Sequence, residues 1–149
     1  MIADTVLAMF HHLLAFGMVG LIMAEWVILR GAPSEDVLQR IARIDGFYGV
    51  SAVALLIVGV LRVIYGVKGY AFYTGNPVFW LKIALFVATG LLSVMPTMRF
   101  IRWSRAVKQD SALPEAASWF ATRRLIVWEL HCLSGVMICA ALMARGIGH

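Results

Sequence analysis

The stretch that decides the fold is Val6–Leu29, VLAMFHHLLAFGMVGLIMAEWVIL. A hydrocarbon layer about 30 Å thick needs roughly 20 helical residues to cross it. This run supplies them without a proline or a charge cluster. Yet it carries His11, His12 and Glu25. Ionisable groups at membrane depth are expensive and face a bundle interior or an aqueous cavity. The run therefore predicts a transmembrane helix with one face turned towards other helices.

Working outward, the sequence supplies three more such runs. The second is Phe47 to Val67, entered through an amphipathic stretch in which Val37, Leu38, Ile41 and Ile44 recur at helical spacing. Ser34 reads as its N-cap, with Glu35 and Asp36 in the first turn. The third run is Val78 to Met98, with Pro96 expected to kink or fray its end. The fourth is Leu125 to Ala144, on a helix capped by Asp110 or Ser111 with Pro114 in its first turn. Between spans two and three lies a loop rich in glycine and aromatics, Gly66 to Pro77, which suits an interfacial belt.

Composition agrees. Of 149 residues, 62% are hydrophobic and 14% charged, where a soluble domain is nearer half and a quarter. The excess apolar surface needs lipid. The start, Met-Ile-Ala-Asp, lacks the basic region of a cleavable signal peptide. The net charge of +5 sits in the links between spans, so it speaks for topology and anionic lipid rather than nucleic acid. Cys132 and Cys139 lie one heptad apart on one helix, about 10 Å along its axis, too far for a disulfide. The expectation is a single domain, residues 1–149: an all-α integral membrane bundle of four transmembrane helices, up-down, with sequence neighbours antiparallel. The first and third links hold most of the arginines, so they belong in the cytoplasm and both termini outside. That places the protein in a membrane bordering the cytoplasm, with the lipid bilayer as its main partner.

The polar residues then sort into two layers. The outer one holds His11, His12, Arg62 and Lys82. The inner one holds Glu25, Asp45, Arg99 and Glu129, with His131 deeper. The inner carboxyls are expected to pair with Arg30, Arg43, Arg99 or Arg124. His11, Met18 and Glu25, at steps of seven, share one face of the first helix. Lys82, Phe86, Thr89 and Ser93 share one face of the third. Glu129 and His131, two apart, point in nearly opposite directions, so one at most faces the centre. Gly17, Gly20, Ala24, Gly49, Ala52 and Gly59 would let the first two helices approach closely.

Helix bundles hold haem between facing side chains, and histidine is a common axial ligand. His12 or His11 opposite Lys82 could ligate iron, with Arg62 neutralising a propionate; the absence of C-x-x-C-H argues against covalent attachment. Met18, Met23, His11 and Cys132 are copper(I) ligands by type, although methionine is ordinary core filler. No hydrolase, zinc-protease or phosphate-loop motif is present.

Three stretches carry a resemblance. Phe10-His-His-Leu-Leu-Ala-Phe-Gly, Arg43-Ile-Asp-Gly-Phe-Tyr-Gly and Asn76-Pro-Val-Phe-Trp-Leu-Lys-Ile-Ala-Leu-Phe resemble a bacterial family of four-span membrane proteins of unassigned function. His12-Leu-Leu-Ala, Trp80-Leu-Lys82 and Trp128-Glu-Leu-His131 are more distantly similar to segments of HemJ-type protoporphyrinogen oxidases and CopD-like membrane proteins. The resemblance implies a haem b or porphyrin site at His12, Lys82 and Glu129, supported by Arg62 and His11, with His12 and Lys82 as the metal ligands. It lacks the histidine and proline of those motifs. It also implies redox exchange with quinone or porphyrin, and leaves open whether the protein is an enzyme. The alternatives are a non-enzymatic membrane subunit or assembly factor, and a carrier for a metal, a proton or a small solute, for which a homodimer would have to supply more wall.

Overall fold

The computed structural model describes residues 2–67, 69–110 and 112–148. It has five helices: α1 (Ile2–Ile28), α2 (Glu35–Tyr65), α3 (Tyr70–Thr74), α4 (Pro77–Asp110) and α5 (Ala116–Ala144). Four of them, all but α3, are long and apolar enough to cross a membrane. They form a ring in the order α1, α2, α4, α5, back to α1, with α1 diagonal to α4 and α2 diagonal to α5. Each ring neighbour runs antiparallel to the next, so the predicted up-down bundle is what the chain builds.

One pattern explains the packing. Met18, Ile22 and Glu25 on α1, and Leu29 just past its end, are buried at steps of four, three and four. On α2 the buried positions are Leu38, Ile41, Asp45, Tyr48 and Leu55, with Gly59 and Arg62 continuing the series. On α4, Thr89, Pro96, Phe100, Trp103 and Val107 are buried, and the same alternation of three and four passes back through Phe86 and Lys82 to Phe79. On α5 the series is Trp119, Thr122, Ile126, Glu129 and Leu133. Alternating threes and fours keep one narrow stripe facing the bundle axis. The ionisable residues that sit in these stripes are carried to the axis whatever their cost.

The helices outrun the bilayer. At 1.5 Å per residue, α2 and α4 are roughly 45 to 50 Å long, against about 30 Å of hydrocarbon. The surplus lies at the end carrying the α1–α2 link and the arginines, here the basic end. There the stripes close an aromatic core: Phe100 packs on Trp103 and Trp103 on Trp119, with ring centroids 6.0 and 5.7 Å apart. The Trp119 indole donates to the Gly31 carbonyl at 3.0 Å and Gln39 donates to the Ser104 carbonyl at 3.1 Å. These two bonds tie the α1–α2 link to α5 and α2 to α4. The helix α4 continues through Pro96 to Asp110, so the arginine-rich segment expected as a link from Arg99 onward is its last three turns.

Caps correct two further expectations. Ser34 does cap α2, accepting from the Val37 amide at 3.4 Å. But α5 begins at Ala116 behind Glu115, which makes no side-chain cap bond. Asp110 belongs to the end of α4, Pro114 precedes α5, and Ser111 lies outside the described residues. At the opposite end Asn76 is fully buried. Its side chain accepts from the Val78 amide at 2.8 Å and donates to the Ile147 carbonyl at 3.2 Å, joining the start of α4 to the end of the chain. Gly148 sits directly against it at φ 102, where a Cβ would collide with the Asn76 side chain. This is the terminal end, since α1 starts and α5 finishes there.

Candidate functional site

Because the helices are antiparallel, levels can be read across the bundle. Gly59 of α2 lies beside His11 of α1: a Cβ at Gly59 would be 3.4 Å from the His11 ring. Fourteen residues further along both helices, in opposite directions, Glu25 comes level with Asp45. The separation between the two levels is roughly 21 Å. Two polar layers therefore exist within the bundle, and each draws on several helices.

The layer towards the basic end holds Glu25 from α1, Asp45 and Tyr48 from α2, Thr97 from α4, and Glu129 from α5. All three carboxyls are buried; Glu25 is 1% exposed and Glu129 is 0% exposed. The Thr97 hydroxyl donates to Asp45 Oδ1 at 2.8 Å. Glu25 lies close to both Asp45 and Glu129. The Tyr48 hydroxyl approaches the Glu129 carboxyl, but neither oxygen of Glu129 accepts a well-formed hydrogen bond, and nor does Glu25 Oε1. Among the described residues no arginine stands within ion-pair distance of these carboxyls. The expected pairs with Arg30, Arg43, Arg99 and Arg124 are not formed. Arg30 lies over the Trp26 ring, 5.0 Å from its centroid, Arg43 and Arg124 are exposed, and Arg99 donates to the Thr122 hydroxyl at 2.9 Å. The result is a layer of acids with hydroxyl neighbours and no counter-cation.

The layer towards the terminal end holds His11, Arg62 and Lys82, with Cys139 nearby. All three basic groups are half-buried. His11 Nδ1 and Arg62 Nε have no partner, and Lys82 Nζ sits 5.6 Å from the centre of the Phe79 ring. Between the layers the axis is filled by Met18, Leu55 and Leu133, with Thr89 bonded to its own helix at the Leu85 carbonyl.

Of the residues singled out by sequence, His11, Arg62 and Lys82 come together, and Glu129 joins the other layer. His12 stands apart. It is exposed on the outer face of α1, and its Nδ1 donates to the Ala8 carbonyl at 2.6 Å. His131 is exposed likewise, bonded to Val127 at 2.7 Å, so Glu129 is the one of that pair that faces the centre. The His12–Lys82 pairing expected for haem iron is not what the bundle brings together, and the residue that does share the Lys82 layer, His11, has its ring packed against the Gly59 backbone. Among the described residues no group of three or more His, Cys, Asp or Glu is gathered tightly enough to hold a metal ion. The small-residue expectation also changes: Gly17, Gly20 and Gly49 are exposed, with nothing within 4 Å of a Cβ, while Gly59 alone of the named glycines meets a neighbouring helix.

Tyr48, Thr97 and Thr122 were not singled out. Their signal was available in the stripes: Tyr48 follows Asp45 by three and Thr122 precedes Glu129 by seven. No curated protein and no solved structure matches the chain. A family model described as a predicted membrane protein matches residues 3–148, nearly the whole sequence. With four membrane-spanning helices built as that description requires, this chain belongs to the DUF2214 family.

Proposed function

We propose that the protein is a cation-binding membrane bundle of the carrier type, in which Glu25, Asp45 and Glu129 take up and release a proton or a monovalent cation from the basic end. The observation that carries this reading is Glu129: wholly buried, approached by the Tyr48 hydroxyl but with neither oxygen in a well-formed hydrogen bond, and with two more carboxyls close by. Like charges shielded from water repel strongly, and an unpaired buried carboxylate costs several kcal/mol. A chain selected for packing alone would place leucine in these stripe positions. A bound cation relieves the repulsion, and a proton does so without needing a cage of ligands. Tyr48 and Thr97 supply hydroxyls that can donate to a carboxylate or accept from a protonated one. By the distribution of arginine, the basic end lies in the cytoplasm; the resemblance to a bacterial four-span family makes the membrane the bacterial inner membrane.

The test uses the full-length protein in lipid vesicles. A hydrophobic carbodiimide should modify Glu129 or Glu25, located by peptide mass, and sodium or potassium ions or high pH should protect them. A pH-sensitive dye should report proton uptake that Glu129→Gln removes. No modification of either residue, together with no uptake, would overturn the reading. Haem b is the weaker reading. One observation favours it, the meeting of His11 and Lys82 in a lipid-shielded layer, and a visible spectrum that stays flat after haem addition would remove it.

A further inference from the structure

Between α4 and α5, near the basic end, the surface dips into a groove of about 450 Å³. Leu92 and Met95 line it from α4, Leu125 and Trp128 from α5, and Arg99 and Arg124 stand at its basic-end rim. The hydrogen bond from Arg99 to Thr122, 2.9 Å, sets the register of the two helices. It places Arg124 within one turn of the Arg99 level. It also holds the Arg99 guanidinium in place while leaving other N–H groups unused. Among the described residues neither arginine has a carboxylate partner, and the nearby acids face the bundle axis instead.

Along the groove the order is the same on both walls. Apolar side chains come first, then a guanidinium, over roughly 10 Å. A phospholipid presents that order in one leaflet: acyl chain, then phosphate. A free phosphate would meet the rim and leave the apolar wall uncovered. Paired guanidinium groups also match phosphate geometry. We propose that this groove seats one anionic phospholipid, with its phosphate between Arg99 and Arg124 and an acyl chain along Met95, Leu92 and Trp128. The site is separate from the carboxyl layer and stands or falls without it.

The experiment mixes the full-length protein in mild detergent with phosphatidylglycerol or with phosphatidylcholine of the same chains. Retained lipid is counted by native mass spectrometry. One phosphatidylglycerol should be retained about fivefold over phosphatidylcholine for each arginine engaged. Arg124→Gln, at an exposed position, should lower that preference about fivefold. Leu125→Trp, which fills the groove without altering charge, should reduce retention of the lipid. Arg105→Gln, on an exposed position of α4 outside the groove, should leave it unchanged. Equal retention of the two lipids would overturn the proposal. So would an effect of Arg105→Gln as large as that of Arg124→Gln, or displacement of the lipid by inorganic phosphate at the same concentration.

Discussion

Replacing Glu129 by methionine should make this protein more stable. The side chain is fully buried and both carboxyl oxygens lack a hydrogen bond. Each unsatisfied buried polar group costs about 1–3 kcal/mol. The nearby Tyr48 hydroxyl offsets part of that for one oxygen. Methionine has nearly the same length and volume, so repacking should cost less than about 1.5 kcal/mol. The net expectation is a gain of about 2 kcal/mol, within the range seen when buried ionic groups give way to apolar ones. For a chain of this size that corresponds to a rise of roughly 4–8 °C in Tm. The assay is thermal unfolding in one detergent at fixed pH and salt, followed by tryptophan fluorescence; Trp103 and Trp119, stacked in the core, will report it. Glu129→Gln is the control. It keeps two polar groups in the same place and should gain little. Proton or cation uptake should be lost in both variants, so stability and activity would move in opposite directions for methionine. A fall in Tm of similar size for Glu129→Met would refute the reasoning, because it would mean that the native carboxyl is held by a partner whose loss is felt.

Trp119→Phe removes the bond to the Gly31 carbonyl and part of the aromatic stack, and should cost about 2–3 kcal/mol by the same thermal assay. Thr97→Val deletes the hydroxyl that serves Asp45 and should cost about 1–2 kcal/mol, but much less in an Asp45→Leu background, where a double-mutant cycle reads the coupling. Gly135→Ala puts a Cβ 2.9 Å from a Leu85 methyl; the expected loss of about 1 kcal/mol should be recovered when Leu85 is shortened to valine. Single cysteines at Ser34 and at Gly75, introduced after replacing Cys132 and Cys139, should react with a membrane-impermeant maleimide from opposite sides of intact cells, Gly75 from outside.

The spans were legible because hydropathy and length suffice to find them, and the first run alone put His11, Met18 and Glu25 on one face, although it left open which of His11 and His12 turns inward; the bundle turns His11 in. What sequence reading took for a link after Met98 is helix, because charge was read as a boundary. Phe100, Trp103 and Val107 keep the stripe going past the membrane, and the arginines between them merely occupy the outer faces. The same confusion of depth with direction explains the missing ion pairs. Glu25 and Arg30, or Glu129 and Arg124, are close along their helices, so depth suggested that they meet. But an acid in the stripe and a base outside it point apart, and five residues of helix do not bring them round. His12 follows the same rule and lies on the outer face of α1. Resemblance favoured it over its neighbour, but the two lie about 100° apart, so only one can face inward, and the bundle turns His11 in and His12 out. In a narrow bundle the face a residue occupies decides its partners before its depth does. That is why the acids collect with one another at the axis, the arginines on the outer faces of the basic end stand away from them, and the chain carries a layer of carboxyls with hydroxyl neighbours in place of arginine partners.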